Sequence, residues 1–163
     1  MGVGMKGGRG GSEPAEPIPL RSLRRVKVKS IMNKRPPAIS PGASIDDLLE
    51  SMRREIENCF LVVGEDRKLL GIVTESDIFQ IFYPAIPKAT IGSVFKEIAK
   101  TKANTVGEIM TKRPVTATPE MSVTEALKLM AEHKLRHLPV VEGGEPVGLL
   151  SLRDIVELYR LLR

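Results

Sequence analysis

Tryptophan is absent from this sequence, and aromatic residues make up only 4% of it. The core must therefore be aliphatic, built from Ile, Leu, Val and Met. A single cysteine, Cys59, excludes an intramolecular disulfide and fits a reducing compartment. No apolar run approaches the roughly 18 residues of a membrane-spanning helix. The opening MGVGMKGGRGGSEPAEP has no apolar stretch to serve as a signal peptide, and Lys6 stands where a myristoylation signal calls for Ser or Thr. These absences lead to the expectation of a cytoplasmic protein without a membrane partner. Signatures of catalysis are missing too. There is no Gly-x-Ser-x-Gly and no His-Glu-x-x-His, and the glycines between Gly7 and Gly11 lack the flanking strand and helix of a phosphate-binding loop. The expected class is a non-enzyme.

What is present is basic at one end. The net charge is +5, and residues 1–29 account for all of it: Lys6, Arg9, Arg21, Arg24, Arg25, Lys27 and Lys29 stand against Glu13 and Glu16. The other 134 residues carry equal numbers of basic and acidic side chains. A nucleic-acid-binding domain usually carries its positive charge on the folded surface, so this distribution argues against a nucleic-acid-binding core. Six of the fourteen glycines lie in the first eleven residues, with Pro and Glu following. Residues 1–20 are expected to be disordered, within a tail that runs to residue 25.

Beyond the tail the chain repeats. Residues 28–63 align with 106–141 without a gap, and twelve of the 36 positions are identical, among them Met32/Met110, Pro36/Pro114, Pro41/Pro119, Ser44/Ser122 and Met52/Met130. Ordinary composition gives about two. After the loss of one residue the match resumes at Gly71/Gly148, Thr74/Ser151, Asp77/Asp154 and Ile78/Ile155. Each copy opens with an extended segment held by two prolines. Ser44-x-x-Asp47 and Ser122-x-x-Glu125 then have the spacing of a capping box, in which hydroxyl and carboxylate satisfy free amides of a first helical turn. Ile45, Leu48, Leu49 and Met52, like Val123, Ala126, Leu127 and Met130, recur as one stripe of an amphipathic helix.

Two hairpins follow, Phe60–Val63 with Leu69–Val73 and Leu138–Val141 with Val147–Leu150, and helices begin at Thr74 and Ser151. The last helix is expected over Leu152–Arg163. The predicted fold is α/β: two β-α-β-β-α repeats, 26–78 and 106–163, packed about a pseudo-twofold axis, because neither is large enough to bury its own face. The linker 79–105 is expected to add a helix around Val94–Ala99.

This ordered series, from Val28-Lys-Ser-Ile-Met32 through Gly71-Ile-Val-Thr74-Glu-Ser-Asp77 and again from Val106-Gly-Glu-Ile-Met110 through Arg136-His137-Leu-Pro139 to Gly148-Leu-Leu-Ser151-Leu-Arg-Asp154, resembles a pair of cystathionine-β-synthase (CBS) domains, a Bateman module. The resemblance covers about residues 26–160. It implies two clefts that take AMP, ADP, ATP or S-adenosylmethionine, a homodimer, and a regulated partner protein not named by the sequence. By position it implies Thr74 and Asp77 in one cleft and Ser151 and Asp154 in the other, with the hydroxyl near phosphate or ribose and the Asp on the ribose hydroxyls. It further implies Ser40 and Asn58 serving the Asp154 cleft, and Thr118 and Arg136 serving the Asp77 cleft. The first copy has Asn58-Cys59 where the second has Arg136-His137, so the two sites are expected to differ in affinity.

The residues admit plainer readings. Thr74-x-x-Asp77 and Ser151-x-x-Asp154 are also ordinary helix starts, where a hydroxyl caps and an acid sits near the positive end of the helix dipole. Arg136 and His137 would grip phosphate, or stand solvated at a helix-to-strand junction. His133, His137 and Glu132 lack a further ligand at a metal-binding spacing, so no metal is expected. Cys59 and His137 occupy equivalent repeat positions, which makes Cys59 a small buried hydrophobe rather than a nucleophile. Two other functions compete: a ligand-free dimerisation scaffold, and nucleic-acid attachment through Arg21–Lys29.

Overall fold

The computed structural model of the chain describes residues 23–82 and 104–162. The tail before Leu23 and the helix expected around Val94–Ala99 lie outside the described residues. In chain order the first copy contributes a 3-10 turn (Val28–Ser30), β1 (Ala38–Ile39), α1 (Ile45–Arg54), β2 (Cys59–Val63), β3 (Leu69–Thr74) and α2 (Glu75–Phe82). The second contributes α3 (Val106–Ile109), β4 (Thr111–Lys112), α4 (Val123–His133), β5 (His137–Glu142), β6 (Glu145–Ser151) and α5 (Leu152–Leu161). Both predicted capping boxes form. The Ser44 hydroxyl accepts the Asp47 N–H at 3.1 Å while the Asp47 carboxylate accepts the Ser44 N–H at 3.3 Å, and Ser122 with Glu125 repeats the exchange at 3.2 and 2.8 Å. Each such cap is worth about 1 kcal/mol.

The strands run slightly longer than the apolar pattern indicates. Cys59 pairs with Thr74, and His137 pairs with Ser151. The last rung of each hairpin thus carries straight into the first residue of the following helix. The turn between β5 and β6 is Gly143-Gly144, both at positive φ (59° and 82°), which a two-residue turn between twisted strands requires.

Strand order shows how the copies are joined. β1 lies parallel to β2, β2 antiparallel to β3, and β3 antiparallel to β4, which belongs to the other copy. The β5–β6 pair is flanked in the same manner, by a parallel bridge from Ala117 to Val140 and an antiparallel bridge from Asn33 to Leu149. Asn33 and Thr111 are repeat equivalents, as are Leu149 and Ile72, so the opening segment of each copy crosses to the sheet of the other. Val28, fully buried, donates to the Met121 carbonyl and packs with Val123, Leu138 and Leu150. Its equivalent Val106, also fully buried, donates to the Ala43 carbonyl and packs with Leu48, Phe60 and Val73. A third cluster, Cys59, Leu61, Ile72 and Leu149, joins residues of both copies.

The tail ends earlier than its composition indicates. Leu23, placed within the tail by the reading that ran it to residue 25, is 7% exposed and belongs to the core of the second half. One apolar side chain with a cavity to fill outweighs the polar residues around it. Lys29 forms an ion pair with Glu120, and the Lys27 ammonium donates to the Glu120 carbonyl at 2.8 Å. Among the described residues no helix is long and apolar enough to cross a membrane.

Where the copies cross, Gly71 and Gly148 leave room that no other residue would. A Cβ at Gly71 would stand 2.6 Å from the Thr111 carbonyl oxygen and 2.8 Å from the Met110 sulfur; at Gly148 it would stand 2.5 Å from the Met32 sulfur and 2.9 Å from the Asn33 carbonyl oxygen. A methionine side chain can move aside, but a backbone carbonyl held in a sheet cannot without breaking its ladder. Gly71→Ala and Gly148→Ala are each expected to lower stability by about 1–3 kcal/mol, the usual cost of overpacking. Gly42→Ala, whose Cβ would meet only the Ser40 hydroxyl at 3.9 Å, is expected to stay within about 0.5 kcal/mol. Urea denaturation midpoints of the three variants provide the measurement.

Candidate functional site

Each hairpin that runs into a helix start sets a cleft beside it. The first cleft, ≈ 370 Å³, is lined by Thr74, Glu75, Ser76 and Asp77 at the start of α2, by Ile72 and Thr111, and by Asn58 and Lys134–His137 from the opposite side. The second, ≈ 310 Å³, is lined by Ser151, Leu152, Arg153 and Val156 at the start of α5, by Ile56, Glu57 and Asn58, and by Arg136 and His137. Both volumes are at the lower end of the roughly 300–1,000 Å³ typical of small-molecule sites.

The two aspartates serve the helices first. Oδ2 of Asp77 accepts the Thr74 N–H at 2.7 Å and the Thr74 hydroxyl at 3.0 Å. Oδ2 of Asp154 accepts the Ser151 N–H and hydroxyl, both at 2.7 Å, and the Ser151 hydroxyl in turn accepts the Asp154 N–H at 3.2 Å. The plain reading as helix starts therefore holds. It does not exhaust the carboxylates. Oδ1 of Asp77 is met only by the Thr111 hydroxyl at 3.3 Å, and Oδ1 of Asp154 has no hydrogen-bond partner among the described residues. Each half-buried carboxylate keeps accepting capacity while its other oxygen fixes its orientation.

Of the residues singled out in the sequence, Thr74, Asp77, Asn58, Arg136, His137 and Ser151 line a cleft. Asp154 sits behind Ser151 in the cap. Asn58 and Arg136 line both clefts, where the resemblance implied one each. Ser40 and Thr118 line neither. Both are exposed, and the Ser40 hydroxyl accepts the Gly42 N–H at 3.3 Å while the Thr118 carbonyl accepts the Met121 N–H at 3.1 Å, so each is engaged in its own turn. Thr111 and Lys134 were missed. Thr111 reaches Asp77 only because β4 crosses between copies. Lys134 is placed by the left-handed C-cap of α4 (φ 54°), a conformation its residue type does not advertise.

Electrostatics differ between the copies. Burial pulls the His137 imidazole below its ordinary 6.5, and the neighbouring Arg136 pushes the same way, with Asp154 opposing. Burial raises Glu57, and the nearby Asp154 charge adds to it, against Arg153. The Cys59 thiol, fully buried behind the wall, is pushed up to about 12, mainly by burial and then by Glu57 and Asp77. At neutral pH Cys59 is a thiol and no nucleophile. No group of three or more His, Cys, Asp or Glu suited to a metal ion exists among the described residues.

The CBS domain family model matches residues 28–83 and 106–161. An inosine-5'-monophosphate dehydrogenase of Korarchaeum cryptofilum is 35% identical over 119 residues, which is 72% of this chain and 21% of that protein. The chain spans between a fifth and somewhat over half of the length of the first curated relatives it matches. Among solved structures, CBSX2 in complex with AMP superposes with a TM-score of 0.70 at 26% identity, covering 84% of this chain and 98% of that one; CBSX2 is a CBS-pair protein of Arabidopsis thaliana. The CBS domain pair of protein MJ0100 in complex with 5'-methylthioadenosine and S-adenosyl-L-methionine superposes with a TM-score of 0.67 at 26% identity, covering 85% and 98%.

The depressed basicity of His137 has a measurable sign. Unfolding returns the imidazole to its ordinary 6.5. As pH falls through that value the unfolded chain takes up the proton before the folded one, so stability is present above about pH 6.5 and is lost below it. His137→Gln is expected to reduce the drop in Tm between about pH 7.5 and pH 5.5, measured by thermal melts across that range; a drop as large as in the parent would mean that other groups carry it.

Proposed function

The chain belongs to the CBS domain family, and on that premise we propose that it is a regulatory module that binds an adenosine-containing ligand in its two clefts and conveys the change to a partner protein. The ligands to consider are AMP, ADP, ATP and S-adenosylmethionine. The observation that carries this reading is the pair of half-engaged aspartates. Each cleft meets a helix start at which an aspartate accepts both the N–H and the hydroxyl of the residue three before it on one oxygen, and keeps the other oxygen for another donor. A helix start favours phosphate through its free amides and dipole. A fixed carboxylate oxygen one turn along accepts ribose hydroxyls. In this reading Thr74 with Asp77, and Ser151 with Asp154, hold ribose and phosphate, while Arg136 and His137 meet phosphate from the opposite wall. Ser40 and Thr118 drop out of the contact set because they line neither cleft. AMP in the CBSX2 complex, and S-adenosylmethionine in the other, support an adenosine ligand here.

We read the module as non-catalytic, cytoplasmic and homodimeric. For the dimer the support is apolar surface: Phe79 on α2 and Val156 on α5, which are repeat equivalents, are 56% and 57% exposed, and Leu161 is 76% exposed. Such faces are ordinarily covered by a second copy or a partner. Attachment to nucleic acid through Arg21–Lys29 loses support, since Lys27 and Lys29 are drawn to Glu120. A ligand-free scaffold keeps one specific point in its favour, that both aspartates already have work as caps.

Calorimetric titration with the four ligands separates these readings. Charge-assisted hydrogen bonds of about 1.5–3 kcal/mol are at stake. Asp77→Asn and Asp154→Asn, which retain an acceptor for the cap amide but lose the charge, are expected to weaken binding roughly tenfold to a hundredfold with little change in Tm. A scaffold predicts no heat and no thermal shift with any ligand, because whatever binds the native state must raise its Tm.

A further inference from the structure

The two clefts have a wall in common: Asn58, Arg136 and His137 line both of them. Asn58 and Arg136 are repeat equivalents, so the pseudo-twofold operation brings the two positions together between the clefts. A symmetric duplication would put a cation on each side of this wall. Here one side has Arg136 and the other has a neutral amide. The Arg136 carbonyl accepts the Leu152 N–H at 2.8 Å, which fixes the residue beside the start of α5. Its side chain is exposed and makes no ion pair among the described residues, so the guanidinium is free to turn toward either cleft.

The remaining charge makes that choice matter. Apart from Arg136, the cleft at α5 is lined by Arg153 against Glu57, with Asp154 just behind; the cleft at α2 is lined by Lys134 against Glu75 and Asp77. In neither do the cleft's own cations outnumber its acids. His137 does not make up the difference, since burial and Arg136 hold it toward its neutral form. The helix dipoles act on both sides alike. An incoming phosphate meets a neutral or negative cleft unless Arg136 turns to it, and a second phosphate across the same wall would meet both the acids and the first phosphate.

We propose that the clefts share Arg136 as a single phosphate-anchoring cation, so that the chain holds one phosphate-bearing nucleotide at a time rather than two. This rests on the reading of both clefts as adenosine sites and adds to it a rule of occupancy: the clefts are coupled negatively, through charge and not through space.

The test compares AMP with adenosine, which lacks the phosphate, by calorimetry on the full chain. AMP is expected to bind once per chain, with any second event at least tenfold weaker, while adenosine binds twice. Asn58→Arg, which gives each cleft its own cation, is expected to raise the AMP count to two. Arg136→Asn is expected to weaken AMP to the affinity of adenosine or below it, while adenosine still binds twice. Both positions are exposed, and thermal melts confirm that the variants fold. Two equal AMP sites in the parent chain would overturn the proposal. So would adenosine stopping at one per chain, because the limit would then be space, or an AMP count of one that persists in Asn58→Arg. If neither AMP nor adenosine binds the parent or either variant, the adenosine reading itself fails and the proposal goes with it.

Discussion

Met110 seated on Gly71 and Met32 seated on Gly148 bind the two halves into one structure. Each methionine ends the opening segment of one copy, and each glycine lies in the hairpin of the other. The approach is so close that the next residue's carbonyl would stand within 3 Å of any Cβ at either glycine. Because the crossing is reciprocal, neither copy owns a complete core. Val106 fills the half built on α1, and Val28 fills the half built on α4. The pairing of Asn33 with Leu149, and of Thr111 with Ile72, then fixes the relative position of the hairpins. The ends of those hairpins set the helix starts that border the clefts. Cleft geometry is therefore a consequence of the exchange, and any change that loosens the crossing moves both clefts together.

The hydroxyl and carboxylate at each helix start serve folding and, on the proposed reading, binding as well, and magnitude decides how they divide. A capping box is worth about 1 kcal/mol and needs one carboxylate oxygen. The second oxygen is the one a ligand would use, and in both copies it is met weakly or not at all within the described chain. The half-engaged state has a physical advantage for a binding site. The cap holds the carboxylate in one orientation before any ligand arrives, so little side-chain entropy remains to be lost on binding. Capping and recognition are thus not rival accounts of Asp77 and Asp154; on the proposed reading the first prepares the second.

Much of this was legible in the sequence, and what was not has a common cause. The repeat, both capping boxes, the α1 and α4 stripes and the two hairpins follow from local periodicity and turn chemistry, and all are present. The strands gain residues at the ends where Cys59 and His137 meet a helix cap, which apolar alternation does not register. Leu23 escaped because Arg21, Arg24 and Arg25 surround it, and one buried leucine makes no periodic signal. Thr111 and Lys134 escaped for different reasons: one reaches its cleft by crossing between copies, the other by a left-handed helix end. The resemblance that placed Asn58 in one cleft and Arg136 in the other did not foresee the shared wall, because a carry-over by position says nothing of how close the axis brings equivalent positions. Ser40 and Thr118 were carried over by position alone, and their turns hold them on the surface.

Symmetry and its loss play separate parts here. The crossing keeps the repeat, since Val28 and Val106 are buried alike and Gly71 and Gly148 leave no room for a Cβ. The wall between the clefts does not, since Asn58 and Arg136 are both exposed and packing leaves them unconstrained. Divergence at a pseudo-twofold axis has an effect that divergence elsewhere lacks. A charge placed away from the axis acts on one cleft and leaves its equivalent unchanged. A charge placed beside the axis belongs to both clefts, and removing its counterpart halves a common resource instead of disabling one site. With Glu57, Glu75 and the two aspartates holding the rest of the lining near neutrality, one guanidinium is then the difference between clefts that act independently and clefts that answer to each other.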